Sequence, residues 1–307
     1  MPRLEAITLK QLRALRAVAE HGSITAAADT LSLTPPAVHT QLRVLEQNLD
    51  CILLDRSPAG GAQLTTEGRA VLDADLTIEA ALEICAHKLR AYKEGHSGSV
   101  MLGVVSTGKY FAPQLVAQLR AAFPDIEVSL KVSNRDGVIA ALQQRTIELA
   151  IMGRPPRAPA VRAEPIGEHP HVMIAAPDHP LSHQRGIAPQ ALLEQTFIAR
   201  EQGSGTRILM TRYLDRIGHG TPYRLVEMES NETIKQAVIA NLGIAMISQH
   251  TVTEELRSGR LVALDAATLP IRRQWYLIHR SDLALSPTLQ TVFGYIADQR
   301  GAFLPQL

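Results

Sequence analysis

The segment SITAAADTLSLTPPAVHTQLRVLEQNL, residues 23–49, constrains this chain more than any other. Ser23 is placed to cap a helix whose apolar face holds Ile24, Ala27, Ala28 and Leu31. A short turn, Ser32-Leu33-Thr34, follows. Thr34 can cap a second helix with Pro35 at its first position, where a missing N–H costs nothing. On that helix Val38, Leu42, Leu45 and Leu49 form an apolar stripe at three- and four-residue spacing, and His39, Thr40 and Arg43 fall away from it. Two helices joined by a tight turn, with polar residues near the free start of the second, make a helix-turn-helix. The second helix has the right size for the major groove of duplex DNA.

The stretch ITAAADTLSLTPPAVHTQLRVLEQNLDCILLDR, followed by LTTEG at 64–68, resembles the N-terminal module of LysR-type transcriptional regulators. Ala27-Ala28, Leu31, Thr34, Ala37-Val38, Gln41-Leu42, Leu45-Glu46, Leu49, Leu54, Arg56, Leu64-Thr65 and Gly68 fall in step with the family pattern. The resemblance implies a winged helix-turn-helix with the wing at 56–64. It also implies that Thr34, Pro35, Pro36, His39, Thr40 and Arg43 face DNA, with Arg56 on a phosphate near the wing. Many members carry Gln where Pro35 stands and Ser where His39 stands, so base preference does not transfer. A helical hairpin used only for protein contact would not need so many ordered matches.

Charge sets the manner of binding. The 307 residues carry a net charge of +1, which excludes a chain that finds nucleic acid or membrane by bulk electrostatics. Residues 1–65 hold six Lys/Arg against six Asp/Glu, and the wing sequence SPAGGAQ has no basic residue. Binding would therefore rest on Arg43, Arg56, helix N-terminal amides and neutral donors, with moderate affinity per module raised by dimerisation.

Residues 66–94, TEGRAVLDADLTIEAALEICAHKLRAYKE, read as one long helix with a seam of Leu72, Leu76, Leu82, Ala86 and Leu89. About 28 residues of helix span about 40 Å, too long to bury against one small domain, so the seam asks for a partner helix. EGHSGS at 94–99 reads as a linker. Beyond it, strand-like and helical segments alternate: SVMLGVV, YFAPQLVAQLRAAF, EVSLKV, RDGVIAALQQR and ELAIMG. After a Pro/Arg-rich crossover, RPPRAPAVRAEP at 154–165, come HVMIAAP, TFIARE, GTRILMTRYLDRIG, YRLVEM, NETIKQAVIANLG and IAMIS. RRQWYLIHR and SPTLQTVFGYIADQ close the chain. Such alternation argues for βαβ units and a largely parallel sheet.

The expected fold class is α/β, with a winged helix-turn-helix at 1–65 and a dimerisation helix at 66–94. The remainder, 95–307, would be a two-subdomain, periplasmic-binding-protein-like effector domain, with subdomain I at about 99–163 and 270–307 and subdomain II at about 164–269.

GVVSTGKY, Gly103 to Tyr110, misses a nucleotide-binding P-loop by one residue, because Tyr110 stands where a Mg²⁺-binding Ser/Thr is needed. No strand ending in a metal-binding Asp follows, so an NTPase is not expected. A Gly/Ser/Thr loop before a helix still offers N–H groups to an anion. Gly203, Ser204, Gly205 and Thr206 repeat that design, as do Ser230 and Asn231 with Lys235 following. Lys109, Arg154 and Arg207 could add charge-assisted contacts.

VVSTGKYFAPQLV, ELAIMGRPP, EHPHVMIAAPDHPL, REQGSGTR, SNETIKQAV, GIAMISQHTV and LPIRRQWYLIHR resemble regulators of RuBisCO (Calvin-cycle) operons. That resemblance implies a transcriptional activator and an effector such as a sugar phosphate, a phosphoenolpyruvate-like acid or NADPH. It implies duplex promoter DNA of dyad symmetry, RNA polymerase and a homodimer or homotetramer as partners. Ser106, Thr107, Gly203 to Thr206 and Asn231, Glu232 and Thr233 match the inter-subdomain cleft of the broader family. An exported solute-binding protein is the alternative for this half, as is a regulator of another operon with a carboxylate effector.

Other patterns point away from catalysis and metal. His169-Pro-His171 and His179 with His183 lack cysteines or clustered carboxylates and read as surface or structural histidines. Asp178 has no Ser/His partner in sequence, G-x-S-x-G is missing, and Trp275 reads as core. Neither an enzyme nor a metal or resident cofactor is expected. Cys51 and Cys85 have no redox spacing, and no apolar segment of signal or membrane-spanning length occurs, which places the chain in the cytoplasm.

Overall fold

A computed structural model describes residues 2–57, 61–93 and 98–307. The chain divides into two units, Met1–Cys85 and Ala86–Leu307.

In the first unit, α1 (Leu9–His21) starts on a capping box made by Thr8 and Gln11. Helix α2 (Ile24–Leu31) starts at Ser23, whose Oγ accepts the Ala26 N–H at 3.2 Å, and ends on Ser32 in the left-handed conformation. Helix α3 (Pro35–Leu49) follows Thr34. A hairpin of β1 (Leu54–Ser57) and β2 (Gly61–Leu64) forms the wing, with Arg56 paired to Ala62; its tip at 58–60 lies outside the described residues. The core joins Leu12, Leu15, Val18, Ala27, Ala28, Val38, Leu42, Leu45, Leu53 and Leu54, all buried. Helix α4 (Thr66–Lys93) begins so close to this core that a Cβ on Gly68 would sit 2.1 Å from the Leu53 carbonyl oxygen. Only glycine fits there.

The first strand of the second unit starts at Gly98, so Gly98 and Ser99 belong to a strand and not to the expected linker; residues 94–97 lie outside the described residues. In order come β3 (Gly98–Val105), a 3-10 turn (Ser106–Tyr110), α5 (Ala112–Ala122), β4 (Ile126–Ser133), α6 (Arg135–Gln143), β5 (Leu149–Met152) and β6 (Val161–Ala175). Then follow α7 (Pro189–Leu193), β7 (Thr196–Arg200), α8 (Gly205–Gly218), β8 (Arg224–Met228), α9 (Asn231–Ile239) and β9 (Ala245–Ser248). The chain ends with α10 (Thr253–Arg257), β10 (Val262–Ala263), β11 (Ile271–Arg280) and α11 (Pro287–Asp298).

The main sheet has the order β10-β6-β11-β5-β3-β4, with β9 also on β6. Only β3–β4 and β3–β5 are parallel, while β6, β9, β10 and β11 pair antiparallel. The sheet is mixed, which corrects the expectation of a largely parallel one. The reason is β6. Residues 161–165, expected as crossover, are strand, and the fifteen-residue β6 pairs along its first part with β11 and along its last part with β9 and β10. Its prolines 165 and 170 masked a strand whose pairing is long-range.

Two cores result. One packs Val100, Leu102, Phe111, Leu115, Trp275, Leu277 and Phe303. The other packs Met173, Phe197, Met210, Tyr213, Leu214 and Met246. The carboxyl ends of β3 and β7 both open on the space between these halves, where ligands bind in open α/β sheets.

Candidate functional site

Two surfaces gather the residues singled out above. On α3, Val38, Leu42 and Leu45 are buried, while Thr34, Pro35, Pro36, Thr40 and Arg43 are exposed and His39 is half-buried. The Thr34 side chain makes no capping bond, so its hydroxyl stays open to solvent. Thr40 Oγ1 donates to the Pro36 carbonyl at 2.9 Å, which fixes its rotamer. Arg43 has no hydrogen bond or ion pair among the described residues, whereas Arg13 and Arg16 are held by Glu79 (2.6 Å) and Asp75 (3.4 Å) on α4.

One expectation needs correction: α3 gives no helix N-terminal amides to a phosphate. Pro35 and Pro36 carry no N–H, and the Ala37 and Val38 amides donate back to the Thr34 carbonyl.

In the second unit a cavity of about 500 Å³ lies at the strand ends. Of the residues expected there, Ser106, Thr107, Arg154, Ser204, Gly205 and Thr206 line it. The first turn of α8 lines it through Ser204, Gly205 and Thr206, and the Ser204 side chain makes no capping bond to the free amides of that turn.

Six others lie off the lining. Lys109 is 3.4 Å from Glu232, and Glu232 also takes Lys235 (3.1 Å) and the Tyr110 hydroxyl. Arg207 donates to the Arg200 carbonyl (2.9 Å) and lies 3.3 Å from Glu227. Asn231 is buried, its Oδ1 accepting from Arg200 at 2.7 Å while its Nδ2 has no partner. Thr233 closes the α9 cap on Ser230, and Gly203, at φ +82°, accepts the Asp136 N–H. Lys109 and Arg207 are captured by carboxylates, Asn231 by Arg200 and Thr233 by its cap, partners that loop composition cannot foretell.

What sequence reading missed is the cationic wall. Arg135, Arg154, Arg157, Arg200, Arg212 and Arg273 all line the cavity, with no carboxylate among its lining residues. The side chains of Arg154, Arg157, Arg212 and Arg273, all on this lining, make no hydrogen bond or ion pair among the described residues. Arg135 has only Asp136, at 3.8 Å. Burial pushes the Arg135 guanidinium pKa down, Asp136 works against this, and Arg154 and Arg212 add to the fall. These arginines come from α6, α8, β11 and the loop after β5, so no short motif displays them.

Arg200, at the end of β7, is the fixed member. Its Nε and Nη2 hold Glu201 at 2.7 and 2.8 Å, Nη1 donates to Asn231 at 2.7 Å, and Nη2 reaches Ser106 Oγ at 3.0 Å.

The floor is neutral. His169 and His171 line the cavity, buried rather than at the surface. Burial pushes His169 well below its ordinary pKa and His171 down to about 3. Trp275 is buried and donates to His250 Nδ1 at 3.1 Å, and burial lowers His250 to about 4. Among the described residues no His, Cys, Asp and Glu group could hold a metal ion.

This arrangement can bind an anion. Family models match both halves: "Bacterial regulatory helix-turn-helix protein, lysR family" over residues 9–69 and "LysR substrate binding domain" over 93–301. The chain belongs to the LysR family of bacterial transcriptional regulators. This LysR-type regulator is 52% identical over 306 residues to "HTH-type transcriptional regulator CbbR" of Cereibacter sphaeroides, covering 99% of each chain. It is 41% identical to the "RuBisCO operon transcriptional regulator" of Allochromatium vinosum, covering 92% of each. The regulatory domain of CcmR from Synechocystis PCC6803, solved in complex with 2-PG, is 37% identical; the match covers 66% of this chain and 97% of that one, with a TM-score of 0.63. These relatives are named as regulators, not enzymes. No helix among the described residues is long and apolar enough to cross a membrane.

Proposed function

We propose that this LysR-type regulator binds promoter DNA of carbon-fixation genes as an activator and answers to a small phosphorylated anion held in the arginine-walled cavity. One observation carries the ligand class: six arginines and no carboxylate line one cavity at the carboxyl ends of strands. Unpaired cations gathered in a partly desolvated space repel one another, and a multiply charged anion turns that repulsion into charge-assisted bonds. The 2-PG complex of the CcmR regulatory domain and the RuBisCO operon regulators among the relatives agree with this reading.

On this reading residues 1–65 read DNA, 66–94 pair two chains, and 95–307 sense the effector. Thr34, Pro35, Pro36, His39, Thr40 and Arg43 lie in the major groove, and Arg56 meets a phosphate. Leu76, Leu82 and Leu89 are exposed on α4, as a seam awaiting its partner must be. A homodimer or homotetramer then places modules on a dyad-symmetric site in reach of RNA polymerase, in the cytoplasm. The effector can shift promoter geometry only by binding one closure of the two halves better than the other.

The test is a mobility-shift and DNA-bending assay on the DNA upstream of carbon-fixation genes, with and without phosphorylated metabolites. Specific binding whose bend angle changes with such a metabolite is expected. Binding that ignores a broad panel of phosphorylated compounds refutes the sensing role, and indifference to every promoter fragment refutes the DNA-reading role.

A further inference from the structure

The arginines of the cavity wall stand on two kinds of ground. Arg135 of α6, Arg154 after β5 and Arg212 of α8 come from helices and a loop, and the Arg135 Cδ lies 3.5 Å from where a Cβ on Gly205 would be. Arg273 stands on the sheet. Its partner across the β11–β6 ladder is His169, so the two side chains rise from one face with Cβ atoms about 5 Å apart. Trp275, two residues along β11, belongs to that face as well and stacks on His169 with ring centroids 3.7 Å apart.

Strand alternation explains why Arg273 is left unpaired. Arg272 points to the opposite face and finds Glu168 at 2.9 Å. On the cavity face Arg273 has the His169 and Trp275 rings beside it, and the lining offers no carboxylate. Arg273 is half-buried, so it is neither locked, as Arg200 is by Glu201, nor fully hydrated. Its charge also acts on different neighbours. Beyond burial, the like charges that depress the Arg135 pKa are Arg154 and Arg212, whereas burial joined by Arg273 depresses His169 and His171. A cavity of about 500 Å³ is of the size that encloses a whole metabolite, so a single phosphate among the helical arginines leaves Arg273 unanswered.

Resting on the reading of this cavity as an anion site, we infer that Arg273 is a specificity-determining residue that binds a second anionic group of the ligand while Arg135, Arg154 and Arg212 hold its phosphate. The ligand class is then a phosphate ester that carries a separate carboxylate or a second phosphate. One charge-assisted hydrogen bond of ordinary strength corresponds to at least about tenfold in Kd.

The full-length protein is titrated by calorimetry at fixed ionic strength with two matched pairs. 3-Phosphoglycerate against glycerol 3-phosphate adds a carboxylate, and fructose 1,6-bisphosphate against fructose 6-phosphate adds a phosphate. In the native chain the doubly anionic member of at least one pair is expected to bind at least about tenfold tighter, and the pair that shows this names the second group. Arg273→Met keeps an apolar stem beside the rings; it should bring that ratio below about twofold and leave the single-phosphate member within about twofold of native. Arg273→Lys keeps the charge without the planar fork and should retain part of the ratio. Arg212→Met should weaken both members alike and preserve the ratio. Trp275 emission checks the fold of each variant, and should Arg273→Met not fold, Arg273→Gln decides by the same criterion.

A diffuse positive field predicts instead that Arg273→Met and Arg212→Met lower the ratio equally, and that result overturns the inference. A native ratio near one for both pairs also overturns it, as does a ratio that survives in folded Arg273→Met; in these cases the cavity remains an anion site and only the role of Arg273 falls. If no ester of either pair binds the native chain, the anion-site reading itself fails and takes this inference with it.

Discussion

Replacing Arg200 by Met gives the sharpest energetic test of how the second unit is held. The Arg200 side chain is 3% exposed and satisfies Glu201, Asn231 and Ser106 at once, at 2.7 to 3.0 Å. Met fills much of the volume but leaves the Glu201 carboxylate, itself 19% exposed, with the Asn134 amide at 3.3 Å and its own backbone N–H. Removing one partner of a buried ion pair costs about 3–5 kcal/mol, and the lower end applies because Glu201 keeps a view of solvent. In a unit of this size 1 kcal/mol moves the midpoint by about 2–4 °C, so a loss of about 3 kcal/mol lowers Tm by about 6–12 °C.

The assay is thermal unfolding followed by Trp275 emission, which senses only this unit. The pH dependence adds a sign. Burial pushes the Glu201 pKa up, but the bonds from Arg200, its own backbone and Asn134 prevail and the net shift is downward. A lowered carboxylate contributes stability that is present above its unfolded pKa, about 4.3, and is lost as pH falls through the folded value. The native and Arg200→Met curves should therefore lie apart at pH 7 and converge in acid, below about pH 4. A Tm change under about 2 °C at pH 7, or a gap that stays constant into acid, refutes the network as described.

Arg43→Ala should weaken binding across DNA sequences and reduce the slope of log K against log salt by about one, as one lost phosphate contact requires; fluorescence anisotropy over a salt series measures it. Gly203 holds φ +82° and a Cβ there would lie 3.0 Å from Asp136 Oδ2, so Gly203→Ala should cost about 1–2 kcal/mol in urea unfolding. Leu82, 42% exposed on α4, should be needed for pairing: Leu82→Glu should shift sedimentation toward the monomer while circular dichroism stays unchanged.

Legibility in the sequence followed the range of the interactions. The boundaries of α2 and α3 were visible because Ser23, the Ser32-Leu33-Thr34 turn and Pro35 act on their own neighbours. What escaped was long-range. The first part of β6 reads as crossover because its prolines cannot donate to a ladder, and its strand is set by pairing with β11, more than a hundred residues away. Lys109 and Arg207 have the charge of anion ligands, but Glu232 and Glu227 lie beside them in the fold. Pro36 leaves a second missing N–H at the start of α3, and only the folded cap shows the Ala37 and Val38 amides turned back to Thr34.

By itself the amino-acid order determined the helix-turn-helix, the long α4 and the alternation of strands and helices, because caps, turns and apolar periodicity are local properties of the chain. The tertiary structure alone decided that six arginines from distant elements share one wall, that Arg200 is the one among them locked by Glu201, and that His169 lines the same cavity with both nitrogens buried and unpaired. The physical reason is that a cavity's charge is a sum over residues whose proximity depends on strand register and on which carboxylates happen to fall within reach.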